Sequence, residues 1–104
     1  MFNINGEDWR ILFVSWNHPM LTRSDGTQTI GACSDETKTI YISEEVDNAT
    51  MKKVLCHELT HAAMFSYNVY LSLEQEELLA DLIATYGQEI ICMTNLLFKR
   101  IKYK

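Results

Sequence analysis

The chain has 104 residues, of which 47% are hydrophobic, and this predicts a single compact domain over residues 1–104. Its net charge of −5 argues against a general affinity for nucleic acid. The sequence has neither a signal peptide nor an apolar run of membrane length, and its three cysteines lack metal-site spacing. We therefore expect a cytoplasmic protein with reduced thiols that does not bind a membrane.

Strand-forming segments dominate the first half of the chain. Arg10–Trp16 is predicted to form a strand, and Thr27–Cys33 a second one after a loop over Asn17–Asp25. A turn at Ser34–Thr37 leads into a third strand, Lys38–Ser43, which should form a hairpin with the second. These segments predict a small, mostly antiparallel sheet.

The third strand is expected to lie at an exposed edge of this sheet. It must also lie close to the following helix, because only Glu44–Asn48 connects the two. An edge strand has unpaired backbone groups, to which an extended peptide can add as a further strand. The alternative is that Lys38–Ser43 lies inside the sheet and is paired on both sides.

A helix predicted over Ala49–Ser66, with Asp47 or Asn48 as its N-cap, contains the most informative motif. The pentapeptide His57–His61 has the sequence H-E-L-T-H, which puts two imidazoles one turn apart on one face. Both can bind one Zn²⁺, and Glu58 can act as general base on a metal-bound water. The helix is apolar on most sides, so these polar residues should be buried, where a metal would supply partners. The alternative is a pair of surface histidines bonded to neighbours.

A catalytic zinc normally has three protein ligands, so a third ligand is expected elsewhere. A second helix, predicted over about Leu73–Lys99, opens with an acidic segment in which Glu77 and Asp81 share a face. Glu77 is the candidate third ligand, and Asp81 is the candidate hydrogen-bond partner of a ligand imidazole. Glu74 and Glu76 are instead expected to stabilise the first turn through the helix dipole.

The remainder of the second helix is expected to pack into the core. Its apolar residues recur at helical spacing, and the four cations that follow Phe98 should complement the negative end of the helix dipole. The predicted core stripe consists of Leu79, Leu82, Ile83, Tyr86, Ile90, Met93 and Leu97.

The H-E-L-T-H-A sequence, followed downstream by E-x-x-A-D, resembles the ImmA/IrrE-type metallopeptidases, and among them the short versions that phages and prophages encode. The resemblance extends over about Thr29–Tyr86 and implies a minimal zincin-like α+β domain. Its sheet would pack on the active-site helix and a long C-terminal helix. The resemblance also implies a bound Zn²⁺, a general base, three metal ligands and one orienting carboxylate. The general base would be Glu58, the three metal ligands would be His57, His61 and Glu77, and the orienting carboxylate would be Asp81.

The activity that the resemblance implies is zinc-dependent cleavage of a peptide bond in a phage or host regulatory protein. Two other functions remain open. Zinc could merely join two helices, although a structural site does not need Glu58. Alternatively, the chain could be a catalytically silent, metal-stabilised protein that binds a repressor or toxin.

The oxyanion stabiliser that peptide hydrolysis requires is not identified by the sequence. Tyr67 and Tyr70 follow the active-site helix and are candidates by their reach. Aromatic packing between the two helices is the preferred interpretation of both residues.

Overall fold

A four-stranded mixed sheet forms one layer of the protein in the computed structural model, which describes residues 1–103. The strands are β1 (Phe2–Ile4), β2 (Glu7–Val14), β3 (Gly31–Ser34) and β4 (Thr39–Ser43), in the spatial order β1-β2-β4-β3. β2 and β4 are parallel, whereas the other two pairings are antiparallel. One helix packs on this sheet and the following helices pack on that helix or extend from it, so the fold is α+β, as predicted.

Helix α1, Asn48–Ser66, contains the pentapeptide and is fixed at both ends. Asp47 is its N-cap, since the Asp47 side chain accepts a hydrogen bond from the backbone N–H of Thr50. At the other end, the buried Trp9 of β2 donates from its indole nitrogen to the Ser66 hydroxyl at 2.8 Å. The apolar core lies between α1 and the sheet, so the orientation of α1 is set by its packing. The buried core residues are Trp9, Ile40, Ile42 and Ala62.

The prediction that Lys38–Ser43 forms an exposed edge strand is wrong. β4 lies between β2 and β3, and all five of its residues are buried. Its sequence, Thr-Ile-Tyr-Ile-Ser, lacks the polar alternation of a half-exposed strand and is typical of an interior one. The predicted hairpin does form, because β3 pairs antiparallel with β4. The sheet edge beside α1 is therefore β3.

The second predicted helix is interrupted. It consists of α2 (Leu73–Leu82), a π-helical segment (Ile83–Gly87) and α3 (Gln88–Lys102). Ser72 and Gln75 form a capping box at its start, which explains why the helix begins where the sequence predicts. In a π-helical turn each backbone N–H bonds to the carbonyl five residues earlier instead of four. A search for apolar residues at α-helical spacing does not detect such a turn.

The predicted core stripe on this helix is wrong for most of its residues. Leu79 and Ile83 are half-buried, but the other members, among them Ile90 and Leu97, are exposed. None of the described residues of α3 is buried, and the main neighbour of α3 is the π-helical segment. α3 extends away from the sheet, and the protein measures 55 × 30 × 28 Å. Even so, none of the described helices has the combination of length and apolarity needed to cross a membrane.

Candidate metal centre

Three potential ligand atoms converge between α1 and α2. His57 and His61 lie one turn apart on α1, with their Nε2 atoms 3.2 Å from each other. Glu77 of α2 approaches both rings: its two carboxylate oxygens lie 3.3 Å from His57 Nε2 and 3.0 Å from His61 Nε2. The structure thus brings together the three residues that the sequence analysis selected as metal ligands.

The geometry of this cluster fits a divalent metal ion. Four ligands placed tetrahedrally at zinc–nitrogen and zinc–oxygen distances of about 2.0–2.1 Å are separated from each other by about 3.3 Å. The nitrogen–nitrogen distance of 3.2 Å is close to that value, and so are the distances of 3.3 and 3.0 Å from the two nitrogens to the two different oxygens of Glu77. A fourth tetrahedral position would remain for water or substrate, as catalytic zinc sites require.

The hydrogen bonds on the far side of each imidazole support the same interpretation. His57 Nδ1 lies 3.0 Å from an Asp81 oxygen, and His61 Nδ1 lies 2.6 Å from a Glu76 oxygen. When each neutral ring donates its Nδ1–H to its carboxylate, both Nε2 atoms present lone pairs towards Glu77. The two Nε2 lone pairs and the Glu77 carboxylate then face one another with no hydrogen-bond donor between them. A cation would stabilise this arrangement.

Glu76 is the site residue that the sequence analysis missed. It was expected only to stabilise the first turn of α2, yet its side chain is 17% exposed and bonded to His61. Its backbone position lies about 100° around the helix from that of Glu77, but the flexible side chain is long enough to reach the ring. A count of hydrogen-bond partners could have indicated Glu76. Two imidazoles that bind one metal each need an acceptor for their Nδ1–H group, and the sequence analysis assigned only Asp81. Glu74 and Glu76 both lie in the first turn of α2, as expected.

Glu58 is buried next to the two histidines, with 5% of its surface exposed. Burial raises the pKa of its carboxyl group above the usual range, whereas His61 and His57 act in the opposite direction. The side chain also lies against β3. A Cβ atom added at Gly31 would come within 2.5 Å of Val54 Cγ1 and 3.2 Å of Glu58 Cγ. Glycine at this position therefore allows β3 to pass close to the face of α1 that carries Glu58.

A cleft of about 800 Å³ opens beside this cluster. Residues of β3 form one side of the cleft, and α1 and α2 contribute His57, Glu58 and Glu77. Cys33 also lines it, and burial together with the nearby Glu58 carboxylate raises the pKa of the Cys33 thiol. Cys33 lies outside the cluster of potential ligand atoms.

Neither tyrosine proposed from the sequence lies at the cleft. Tyr67 is 58% exposed and Tyr70 is 87% exposed, so the preferred interpretation of aromatic packing between helices is wrong. The Tyr70 hydroxyl instead donates to the Asn68 side chain at 3.3 Å. The remaining histidine, His18, accepts a hydrogen bond from the backbone N–H of Met20 and lies outside the cluster of potential ligand atoms.

The comparison with protein families places the chain in a known family. The model of the IrrE N-terminal-like domain, Peptidase_M78, matches residues 7–91. The matched region contains three of the four strands, α1, α2 and the converging histidine and glutamate side chains. No curated protein and no solved structure is significantly similar to the chain.

Proposed function

The chain belongs to the IrrE N-terminal-like domain family of peptidases, and from this premise we propose that it is a zinc-dependent endopeptidase. We assign His57, His61 and Glu77 as metal ligands and Glu58 as the general base. The observation that carries this proposal is the convergence of three lone-pair atoms beside a buried carboxylate. We propose further that residues 1–104 form one catalytic domain.

The chemistry divides between the metal and the protein. Zinc at this position would supply Lewis acidity, which lowers the pKa of a coordinated water and polarises a scissile carbonyl. The Glu58 carboxylate accepts the proton of the attacking water and delivers it to the nitrogen of the leaving amine. Asp81 and Glu76 accept the Nδ1–H groups of the two rings and so keep both Nε2 atoms directed at the metal position.

The substrate is proposed to be an extended segment of a protein, bound along β3. Among the strands of residues 1–103, β3 pairs only with β4, and its residues Gly31, Ala32 and Cys33 border the cleft. A peptide added antiparallel or parallel to this edge would therefore pass next to Glu58. Main-chain pairing is largely independent of sequence, so specificity would come from contacts with side chains at the cleft. A phage or host regulatory protein in the cytoplasm is the substrate class that the family resemblance favours.

Metal binding tests the ligand assignment. Glu77→Ala should lower zinc affinity by more than the roughly 10- to 100-fold loss typical of an outer hydrogen-bond partner, because it removes a ligand atom. Glu74→Ala is the matched control, since Glu74 lies on the same helix one turn earlier. Affinities are measured by competition with a chromophoric chelator, and cleavage of an unfolded protein substrate is followed in parallel. Equal affinities for the two variants would refute Glu77 as a ligand.

Glu76 should matter for affinity although it is not assigned as a ligand. Glu76→Ala removes the acceptor for His61 Nδ1–H and should weaken zinc binding by about 10- to 100-fold. Glu76→Gln should recover part of this loss, because the amide oxygen can still accept the hydrogen bond. Substitution of Co²⁺ for zinc provides a second readout, since its visible absorption responds to ligand geometry. Wild-type affinity in Glu76→Ala would show that the contact does not orient His61.

A further inference from the structure

An apolar surface runs along the exposed helix α3. Its residues recur at helical spacing and occupy about 160° of the circumference. Polar residues fill most of the opposite side. The members of this surface, here called the α3 stripe, range from 45% to 73% exposed and are Ile90, Ile91, Met93, Leu97, Phe98 and Ile101.

The α3 stripe is large for an apolar patch on the surface of a monomer. With about 100 Å² exposed on each side chain, its six members present about 600 Å², the upper end of the largest patch on typical monomers. Two such surfaces in contact would bury up to about 1,200 Å², the lower end of the range of stable protein–protein interfaces. The rest of the described chain leaves the stripe uncovered, because α3 projects beyond the sheet. A second copy would supply an apolar surface of equal size.

The charges beside the stripe specify how two copies would meet. Glu89 lies in the first turn of α3, and Arg100 lies in the last. They fall on the same flank of the stripe, because eleven residues at about 100° each return to within about 20° of the same direction. In an antiparallel pair related by a two-fold axis, the same flanks of both helices face each other. Glu89 of each copy would then face Arg100 of the other. In a parallel pair opposite flanks would meet, so Glu89 and Arg100 of the two copies would not face each other.

From this stripe and its flanking charges we infer that α3 is a dimerisation helix that pairs antiparallel with α3 of a second copy. The interface is isologous, as the two-fold symmetry of most homodimers requires. Apolar contacts along the stripe supply the affinity, and the Glu89–Arg100 pairs fix the register and orientation. The cleft lies on β3, α1 and α2, so this surface is separate from the proposed peptidase site.

Two adjacent leucines provide a matched test. Leu97 belongs to the α3 stripe, whereas Leu96, of similar exposure, points towards the polar side of the helix. By sedimentation equilibrium, the full chain should show twice the monomer mass of 12.1 kDa. Leu97→Glu should weaken dimerisation at least about 100-fold, because it places two charges in an apolar interface. Leu96→Glu should leave the dimer intact, with helix content verified by circular dichroism for both variants.

A charge exchange tests the orientation. Glu89→Lys and Arg100→Glu should each weaken the dimer, and the double variant should regain affinity because opposite charges again face each other. A wild-type chain that stays monomeric up to its solubility limit would overturn the proposal. So would a dimer that resists Leu97→Glu or that loses equal affinity with Leu96→Glu. A double variant weaker than both single variants would overturn the antiparallel pairing.

Discussion

Glu58→Gln should lower the rate of peptide cleavage by about 10²- to 10⁴-fold, the usual contribution of a general base. The amide has nearly the same shape as the carboxylate but can neither take up nor return a proton. Zinc affinity should change little, since Glu58 lies outside the cluster of potential ligand atoms. Cleavage is measured with saturating zinc on an unfolded protein substrate, and the loss should appear in kcat.

The control for this substitution is Glu74→Gln, which makes the same chemical change in the first turn of α2. It should leave cleavage at the wild-type rate. Substantial cleavage by Glu58→Gln would show that Glu58 is not the base. Absence of cleavage by the zinc-loaded wild-type chain would instead favour the alternative of a metal-stabilised protein that binds a regulator without hydrolysing it.

The parts of the protein that the sequence predicts best depend on short-range geometry. The spacing within the pentapeptide fixes how His57 and His61 are arranged once α1 forms, and Asp47 marks where that helix begins. Glu77 and Asp81 are four residues apart on α2, so one face carries both. The catalytic and ligand roles of these residues remain predictions, which the variants described above address.

The features that could not be predicted depend on long-range pairing. β2 and β4 are joined by a long connection, and their parallel pairing, which makes β4 an interior strand, links residues far apart in the sequence. The contact between Glu76 and His61 depends on how α2 crosses α1, which no periodic pattern encodes. The α3 stripe has the pattern of a core helix in sequence. Whether such a stripe faces its own core or another molecule is decided by tertiary structure.

Removal of zinc should lower the melting temperature substantially, because the proposed ligands join two helices. Ala80 is the one residue of α2 that is buried, so apolar packing alone attaches this helix weakly to α1. Without a cation, the carboxylates of Glu58, Glu76 and Glu77 would also gather around two imidazoles with little compensation. A metal at about 1,000 times its dissociation constant stabilises the folded state by about 4 kcal/mol. For a domain of this size, that corresponds to a shift of about 15–30 °C.

Calorimetry with and without a strong chelator measures this shift, and added zinc should reverse it. Glu77→Ala is the control, because a chain that has lost a ligand should melt at nearly the same temperature in both conditions. A wild-type melting curve unchanged by chelator would contradict a zinc site that joins α1 and α2. A shift of equal size in Glu77→Ala would contradict the ligand assignment alone, since the metal would then be held by other residues.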